Sequence, residues 1–261
     1  MGERLAYQSS IWYCLFLAYG VHWISKKYLS ATLRNTFFYS VIGLLVTTYS
    51  IMTFQRSKVW ASSYTLFLND IRHAPNSFRT HQAIADESLQ LFLKKYQNPQ
   101  DSVLYISQAQ NEYIASGNVR KTFGNQVGLG NTYLFQKNYQ KAIDAFLSAK
   151  EIKNNTVIRE RLTTTYYQFG RAEAQVNNNL IKAKELLLKA HELDSTRSDI
   201  LTDLGMAIGL NRQVEEAIPY FEKAFNLKPE DETIINNLVH SYILVGLQSK
   251  ADSLLSLSKK K

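Results

Sequence analysis

The sequence predicts an all-α protein in which two N-terminal transmembrane helices precede a solenoid of stacked helix pairs. Three observations lead to this fold class. Residues 36–54 form a run of nineteen residues without an acidic or basic side chain or a histidine. Beyond this run, apolar residues recur at the i, i+3, i+4 and i+7 spacing of amphipathic helices, and the alternating pattern of β-strands is lacking. The second half of the chain also repeats itself at a fixed period.

The apolar run 36–54 has the length and composition of a membrane span. As a helix it would be about 28 Å long, close to the hydrocarbon core of a bilayer. Nine of its residues are Leu, Ile, Val or Phe, and each of these favours insertion. A buried helix of a soluble protein is the alternative interpretation.

A shorter apolar run, Ile11–Ile24, suggests an earlier span. It has only fourteen residues, so a span would have to recruit residues before Ile11. A signal peptide is the alternative, but Glu3 and the lack of a small-residue cleavage site speak against it. We therefore interpret residues 1–54 as a transmembrane hairpin with a polar loop at 25–35, which places both chain ends on one side. Basic residues are balanced between the loop and its flanks, so charge does not predict that side.

Composition excludes several classes of function. The chain has 30 Lys and Arg against 22 Asp and Glu, but beyond residue 54 these charges are interspersed. A nucleic-acid-binding protein would cluster its cations on one face, and only the terminal lysines 259–261 form such a run. The single Cys14 excludes an internal disulfide, and no pair of histidines has the spacing of zinc ligands. We predict no metal, no cofactor and no nucleic-acid partner.

No group of residues suggests catalysis. The adjacent Glu215 and Glu216 point to different faces of a helix, which suits solvent better than paired acid and base chemistry. The glycines of 124–130 lack the preceding strand and the Lys-Ser/Thr pair of a phosphate loop. We predict no catalytic residue. Asn154 begins an Asn-Asn-Thr acceptor for N-glycosylation, which matters only in a secretory compartment.

The segment Ser198–Asp231 carries the strongest repeat signal. It has 34 residues, the period of the tetratricopeptide repeat. Small and large residues occupy the offsets at which that repeat packs its two helices, namely Leu204, Gly205, Ala217, Phe221, Ala224 and Pro229. We expect Gly205 to let the two helices approach closely and Phe221 to fill the wedge between neighbouring units. Pro229 is expected to end the second helix.

The same offsets recover neighbouring units at 123–156, 163–197 and 232–261, with 157–162 as a spacer and the last unit truncated. Asn98–Asp101 is predicted as a turn between two earlier helices. The predicted organisation is a transmembrane hairpin at 1–54, a juxtamembrane linker or helix at 55–81, an irregular helical repeat at 82–122 and a tetratricopeptide-repeat solenoid at 123–261. Since one helix pair cannot bury its apolar face alone, the units should stack and leave a concave groove.

Repeat geometry also predicts which side chains face this groove. The expected first-helix positions are Val127, Asn131, Tyr167, Arg171, Thr202, Met206, Asn236 and His240. They mix polar and apolar side chains, and they lack the Lys and Asn pattern by which some repeats hold C-terminal carboxylates. We predict that protein or peptide segments bind here.

Two motifs and the order of the segments point to a known family. Residues 3–10 read Glu-Arg-Leu-Ala-Tyr-Gln-Ser-Ser, and the stretch after the second apolar run contains Arg56, Trp60, Leu66, Pro75, Asn76, Ser77, Arg79 and His81. Together with the order of span, linker and repeats, these residues resemble the C-terminal part of the transmembrane and tetratricopeptide-repeat-containing protein O-mannosyltransferase family, bacterial type. Ala6, Gln8 and Ser9 depart from that family's Leu, Leu and Pro. The family's many other spans and its acidic dipeptide have no counterpart here.

The resemblance implies the C-terminal region of, or a partner to, a lipid-linked-sugar protein glycosyltransferase. The repeats would lie outside the cytoplasm on an integral membrane protein, in the inner membrane if the source is bacterial. Expected partners are protein segments, the lipid bilayer and a transferase membrane domain. We predict a membrane-anchored interaction module without catalytic activity in this chain. The alternative is a stand-alone membrane-anchored adaptor or assembly factor unrelated to glycosylation.

Overall fold

The computed structural model describes residues 3–94 and 98–258, and all regular structure in these ranges is helical. The all-α prediction is thereby confirmed for them. Residues 1–2 of the predicted hairpin, residues 95–97 of the predicted irregular repeat and the lysine run 259–261 of the predicted solenoid lie outside the described residues. The chain divides into two compact units, Met1–Asn69 and Asp70–Lys261. The helices are α1 (Glu3–Tyr28), α2 (Ala31–Val59), α3 (Ser63–His73), α4 (Phe78–Lys94), α5 (Pro99–Val119), α6 (Phe123–Phe135), α7 (Tyr139–Ile152), α8 (Thr156–Gln175), α9 (Leu180–Leu193), α10 (Ser198–Leu210), α11 (Val214–Leu227), α12 (Glu232–Leu244) and α13 (Gln248–Ser258).

The first unit contains a helical hairpin. α1 and α2 pack against each other, and near their turn the ring of His22 meets Phe38 edge-on at a centroid distance of 6.2 Å. α2 contains the predicted span 36–54 and extends beyond both of its ends. Between Leu33 and Val59 it is long and apolar enough to cross a bilayer, and none of its most apolar stretch is buried. The hairpin thus leaves its apolar side chains uncovered by the rest of the unit.

The prediction of two spans is not confirmed. α2 is the one helix of sufficient length and hydropathy among the residues that the structure describes. α1 has 26 residues, but its apolar run Ile11–Ile24 is short for a bilayer. Its exposed face is nonetheless apolar, since Trp12 and Phe16 are 72% and 76% exposed.

The predicted linker 55–81 is mostly helical. It includes the end of α2, the whole of α3 and the start of α4. Ser62 and Thr65 begin α3 with a reciprocal cap, in which the Thr65 N–H donates to Ser62 Oγ at 3.1 Å and the Ser62 N–H donates to Thr65 Oγ1 at 3.2 Å.

The second unit is a stack of helix pairs, α4–α5, α6–α7, α8–α9, α10–α11 and α12–α13. In three of these pairs, a glycine on the first helix receives a large side chain of the second. A Cβ atom on Gly130 would lie 2.5 Å from Phe146, on Gly170 2.8 Å from Leu187, and on Gly205 2.7 Å from Phe221. These distances confirm the close approach predicted for Gly205 and explain why only glycine fits there.

The turn inside each of the last four pairs has one residue with a left-handed backbone. These residues are Lys137, Asn178, Arg212 and Gly246, with φ angles of 58°, 49°, 63° and 78°. In three of the turns the next N–H bonds a carbonyl five residues back, as Gln213 does with Ile208 at 3.2 Å, which satisfies the end of the first helix. The turn therefore recurs with the repeat.

Residues 157–162, predicted as a spacer, lie within α8. This helix has 20 residues, whereas α6, α10 and α12 have 13 each. The side chain of Asn155 accepts from the Ile158 N–H at 3.1 Å and so starts the helix before these residues. The additional residues lengthen a first helix and do not form a loop.

Apolar cores connect consecutive pairs. One cluster includes Leu187, Leu204, Phe221, Leu238 and Leu254, which come from α9 to α13 in turn. A second cluster joins α6, α7 and the start of α8. Each pair thus buries its apolar face against its neighbours, as in other helical repeat stacks.

Candidate peptide-binding surface

The first helices of the pairs lie closer to one another than the second helices do. α4 contacts α6, and α10 contacts both α8 and α12, whereas second helices make no comparably extensive contacts with each other over the described ranges. A stack of helix pairs curves toward the side on which its helices are closest. The first helices therefore line the concave side, and we call their solvent-facing side the inner surface.

The predicted groove residues all lie on first helices and at repeating offsets. They are the fifth and ninth residues of α6, α10 and α12. In α8 the additional residues at the start move the equivalent positions, Tyr167 and Arg171, further along the helix. Since four residues are about one helical turn, the two positions of each helix lie one above the other on the same face.

These positions differ in accessibility. Arg171, Asn236 and His240 are exposed, and Val127, Asn131, Tyr167 and Met206 are half-buried. Thr202 is only 7% exposed, and its hydroxyl donates to the Ser198 carbonyl of its own helix at 2.8 Å. Thr202 therefore offers little surface to a ligand. Asn236 and His240 make no side-chain hydrogen bond within the described part of the chain, so their polar groups face solvent.

The structure joins Tyr167 and Arg171 in one polar cluster with α10. Arg171 Nε lies 3.3 Å from Asp203 Oδ2, and the Arg171 guanidinium lies 5.6 Å from the centre of the Tyr167 ring. A second arginine, Arg197, lies 4.8 Å from the same ring and donates to both carboxylate oxygens of Asp199, at 3.1 and 2.6 Å. One aromatic ring thus holds two guanidinium groups, and each of them has its own aspartate.

Burial is the largest influence on the pKa values of two members of this cluster, Tyr167 and Asp203. It raises the pKa of Tyr167 to about 12, with a further contribution from the negative charge of Asp203. Burial also raises the pKa of Asp203, although the Tyr167 hydroxyl and the Arg171 charge oppose it. Asp199 behaves oppositely, because the hydrogen bonds from Arg197 lower its pKa. The cluster therefore presents a neutral phenol between paired charges.

Sequence reasoning missed several residues of this surface. Sequence spacing could not identify Asp203, Arg197 and Asp199, because their roles depend on how α8 and α10 stack. Gln82 and Asp86 could have been found, since they are the fifth and ninth residues of α4. The Asp86 carboxylate accepts a hydrogen bond from the Tyr113 hydroxyl at 2.6 Å. The same offsets that indicate the other positions therefore extend the inner surface to α4.

No metal site accompanies this surface in the part of the chain that the structure describes. Among those residues, no three or more His, Cys, Asp or Glu side chains lie together in a way that could hold a metal ion. The groups of the Tyr167 cluster are suited to binding, since an aromatic ring and two guanidinium groups are held together in fixed positions.

A family model described as tetratricopeptide repeat matches residues 126–156 and 198–231. These segments correspond to α6–α7 and α10–α11, two of the units predicted from the sequence. The helical stack therefore contains tetratricopeptide repeats.

The solved structures that are similar to the chain include YrrB and MamA. YrrB, described as a TPR protein with an unusual peptide-binding site, matches at 18% identity and a TM-score of 0.47 over 74% of this chain and 90% of YrrB. The MamA protein matches at 18% identity and a TM-score of 0.47 over 67% of this chain and 90% of MamA.

Three curated relatives carry the same protein name. The chain is 23% identical to Protein O-mannosyl-transferase TMTC3 of Homo sapiens over 91% of its own length. The TMTC3 proteins of Drosophila melanogaster and Mus musculus are also 23% identical, over 58% and 79% of this chain. The chain spans only 29%, 15% and 25% of the human, fly and mouse proteins. These similarities loosely support the resemblance to O-mannosyltransferases, and these three animal proteins do not support the bacterial type.

Proposed function

We propose that the repeats of this chain bind an extended protein segment along the inner surface, beside a membrane in which the hairpin is anchored. The observation that carries the proposal is the Tyr167 cluster. There, α8 and α10 hold an aromatic ring and two arginines in fixed positions on the concave side of the stack. Tyrosine and arginine are enriched among the residues that contribute most to protein binding.

The form of the surface favours a peptide over a compact ligand. Its positions recur on α6, α8, α10 and α12, so the binding groups follow the axis of the stack. An extended segment can contact successive helices, whereas a small molecule would contact one or two. Because the Tyr167 cluster is already held by internal hydrogen bonds and ion pairs, a ligand that binds it has little side-chain entropy to remove.

The hairpin supports membrane anchoring. Leu44, Tyr49 and Phe54 of α2 are 68%, 51% and 66% exposed, and a water-exposed apolar surface of this extent is costly. Basic and aromatic side chains meet at the ends of both helices, where Lys27 Nζ lies 4.9 Å from the Trp23 ring and Lys58 Nζ 5.2 Å from the Phe54 ring. Such pairs are typical of membrane interfaces. We propose that α1, which would be about 39 Å long, crosses the bilayer in one direction and that α2 crosses it in the other.

The relatives suggest a context for this module. A protein named as an O-mannosyltransferase contains a region similar to 91% of this chain. We propose that the repeats present acceptor protein to a membrane-bound glycosyltransferase and lie outside the cytoplasm. The second candidate is a stand-alone membrane-anchored adaptor unrelated to glycosylation, since the tetratricopeptide repeats matched at 126–156 and 198–231 do not by themselves imply sugar transfer. Co-purification of the full chain with a glycosyltransferase membrane domain supports the first, and a chain that purifies free of any such domain supports the second.

Peptide selection tests the binding proposal. The full chain in lipid nanodiscs is exposed to a random dodecapeptide library, and the dissociation constant of a selected peptide is measured. The inner-surface triple variant Asn131→Ala, Asn236→Ala and His240→Ala should weaken binding about tenfold or more. The matched control is Glu185→Ala, Lys189→Ala and Lys223→Ala, which alters exposed residues of the second helices α9 and α11. Equal weakening by both variants, or failure to select any peptide, would refute the proposal.

Glycosylation tests the proposed side of the membrane. Asn154 is exposed between α7 and α8, and its acceptor triplet ends at Thr156. If the repeats enter the lumen of microsomes during translation, Asn154 should receive a glycan that an endoglycosidase removes. The Asn154→Gln variant should show no such mobility shift. An unmodified chain that protease digests in intact microsomes would place the repeats on the cytoplasmic side.

A further inference from the structure

The polar cluster at Tyr167 has a counterpart on α4. Two guanidinium groups lie against the ring of Phe78, with the Arg79 and Arg120 carbons 5.7 and 5.4 Å from its centre. The arrangement resembles that of Arg171 and Arg197 at Tyr167. In both places one aromatic ring holds two arginines.

The two places differ in their carboxylates. Arg171 and Arg197 each have an aspartate within ion-pairing distance. Arg79 and Arg120 have none among the residues that the structure describes, where ion pairs involve other cations. Both arginines are exposed and retain their hydrogen-bond donors. A guanidinium presents a planar fork that matches a carboxylate. The arginines of the α4 site therefore lack the ion-paired carboxylates that the arginines of the Tyr167 site have.

A buried network fixes the backbone beneath both arginines. Ser116 and Asn125 are fully buried. The Ser116 hydroxyl donates to the Phe78 carbonyl at 2.8 Å, and the Asn125 amide donates to the Arg120 carbonyl at 2.8 Å and to Ser116 Oγ at 3.1 Å. The α5–α6 connection is thereby tied to the start of α4. Arg79 and Arg120, which are distant in the sequence, are therefore held at the Phe78 ring in the absence of a ligand.

These residues border a cavity of about 470 Å³ between first helices α4 and α6. Gln82 and Asp86, the inner-surface positions of α4, line it together with Thr122, and the Thr122 hydroxyl donates to Gln82 Oε1 at 3.3 Å. The cavity therefore continues the inner surface. Its lining combines two cations with hydrogen-bond acceptors, including the Asp86 carboxylate.

We propose that this cavity accepts an Asp or Glu side chain of the protein segment bound on the inner surface. The inference rests on the proposed peptide binding and names the chemistry of its ligand. Arg79 and Arg120 pair with the acidic side chain, and Asp86 and Gln82 accept from the N–H groups of the segment. A peptide is favoured over inorganic phosphate because Asp86, in the same cavity, repels a dianion more strongly than a single carboxylate. It is favoured over an anionic lipid because the cavity lies along the peptide path.

Matched peptides test this inference with the full chain in nanodiscs of neutral lipid. One labelled dodecapeptide of glycine and serine carries three spaced glutamates, and its partner carries three glutamines at the same places. The glutamate peptide should bind about tenfold or more tightly at low salt, and the preference should shrink as salt screens the charges. The double variant Arg79→Gln and Arg120→Gln should abolish the preference.

A charge-matched control distinguishes binding at Arg79 and Arg120 from nonspecific attraction of an acidic peptide to a basic protein. Lys189→Gln and Lys223→Gln remove the same charge from the second helices and should leave the preference unchanged, and circular dichroism melting should be alike for all variants. The inference would be overturned if both double variants lost the preference for the glutamate peptide equally, or if the wild-type chain bound the two peptides equally. Tighter competition by inorganic phosphate or by anionic vesicles than by the glutamate peptide would also overturn it. If peptides from the random library still bind in these cases, the proposed function survives; if no peptide binds at all, both fail.

Discussion

Arg171 on α8 and Asp203 on α10 are joined by a 3.3 Å contact between Nε and Oδ2. This pair links two consecutive first helices on the inner surface, and the Asp203 side chain is only 17% exposed. Burial of a carboxylate costs free energy that the arginine only partly offsets. The pair therefore fixes the geometry of the surface at some cost to the stability of the stack.

The pH dependence of stability should reveal that cost. The pKa of Asp203 is raised in the folded chain, so its ionised form is disfavoured there. The wild-type chain should lose stability relative to Asp203→Asn as the pH rises through the folded pKa, and the two should converge in acid. Urea unfolding between pH 3 and pH 7 measures this difference.

Asp199 provides a control of opposite sign. Its pKa is lowered by Arg197, so its contribution is present above the unfolded pKa and is lost as the pH falls through the folded one. Asp199→Asn should therefore be less stable than wild type at neutral pH, by a small amount since this carboxylate is 46% exposed. If Asp203→Asn and Asp199→Asn changed the free energy of unfolding in the same direction at neutral pH, the opposite pKa shifts assigned to the two aspartates would be contradicted.

Glycine packing in the repeats can be tested at two positions of one helix. Gly205→Ala places a Cβ 2.7 Å from Phe221 and should destabilise the chain by about 1–3 kcal/mol. Gly209→Ala meets only Ala217, at 3.8 Å, and should stabilise by up to about 1 kcal/mol because alanine favours helices. Chemical denaturation of the full chain measures both. Similar effects at the two positions would show that packing against Phe221 is not the cause.

The repeat offsets predicted the close approach of the helices at Gly205, because it lies within one helix pair, where sequence spacing determines which residues meet. They placed Phe221 between neighbouring units and did not identify it as the side chain that meets Gly205. The same offsets placed Tyr167 and Arg171 on one face. They could not reveal Asp203 as their partner, since that contact depends on the rotation between successive pairs. Likewise, Arg120 ends α5 in an extended conformation, and only the buried Ser116–Asn125 network brings it to Phe78. Residues 157–162 broke the repeat period, but sequence alone did not distinguish a longer helix from a loop.

His81 should stabilise the start of the helical stack. Its Nδ1 lies 2.6 Å from Glu112 Oε2 and its Nε2 lies 2.9 Å from the Pro75 carbonyl, so one ring connects α5 to the turn before α4. Glu112→Gln should weaken this connection and increase amide exchange of residues 75–81. Hydrogen–deuterium exchange measures the effect, and the α12–α13 pair should be unchanged. Unchanged exchange at 75–81 would show that the turn is held by other contacts.

Membrane anchoring should depend on the apolar surface of α2. Leu44 is 68% exposed near the middle of this helix, and Leu44→Arg should disfavour insertion by about 2.5–3.5 kcal/mol. Leu44→Phe keeps the site apolar and serves as the control. Extraction of membranes with alkaline carbonate should release more of the arginine variant than of the control. Release of wild type and both variants alike would argue against a spanning helix.

The central claim is that a protein segment binds along the first helices. A selected peptide carrying a photo-reactive residue at each position in turn can be cross-linked to the full chain in nanodiscs, and the attachment sites can be mapped by mass spectrometry. The account predicts attachment to α6, α8, α10 and α12 in the order of the peptide positions. Attachment chiefly to the second helices α7, α9 and α11, or without any order along the stack, would contradict it.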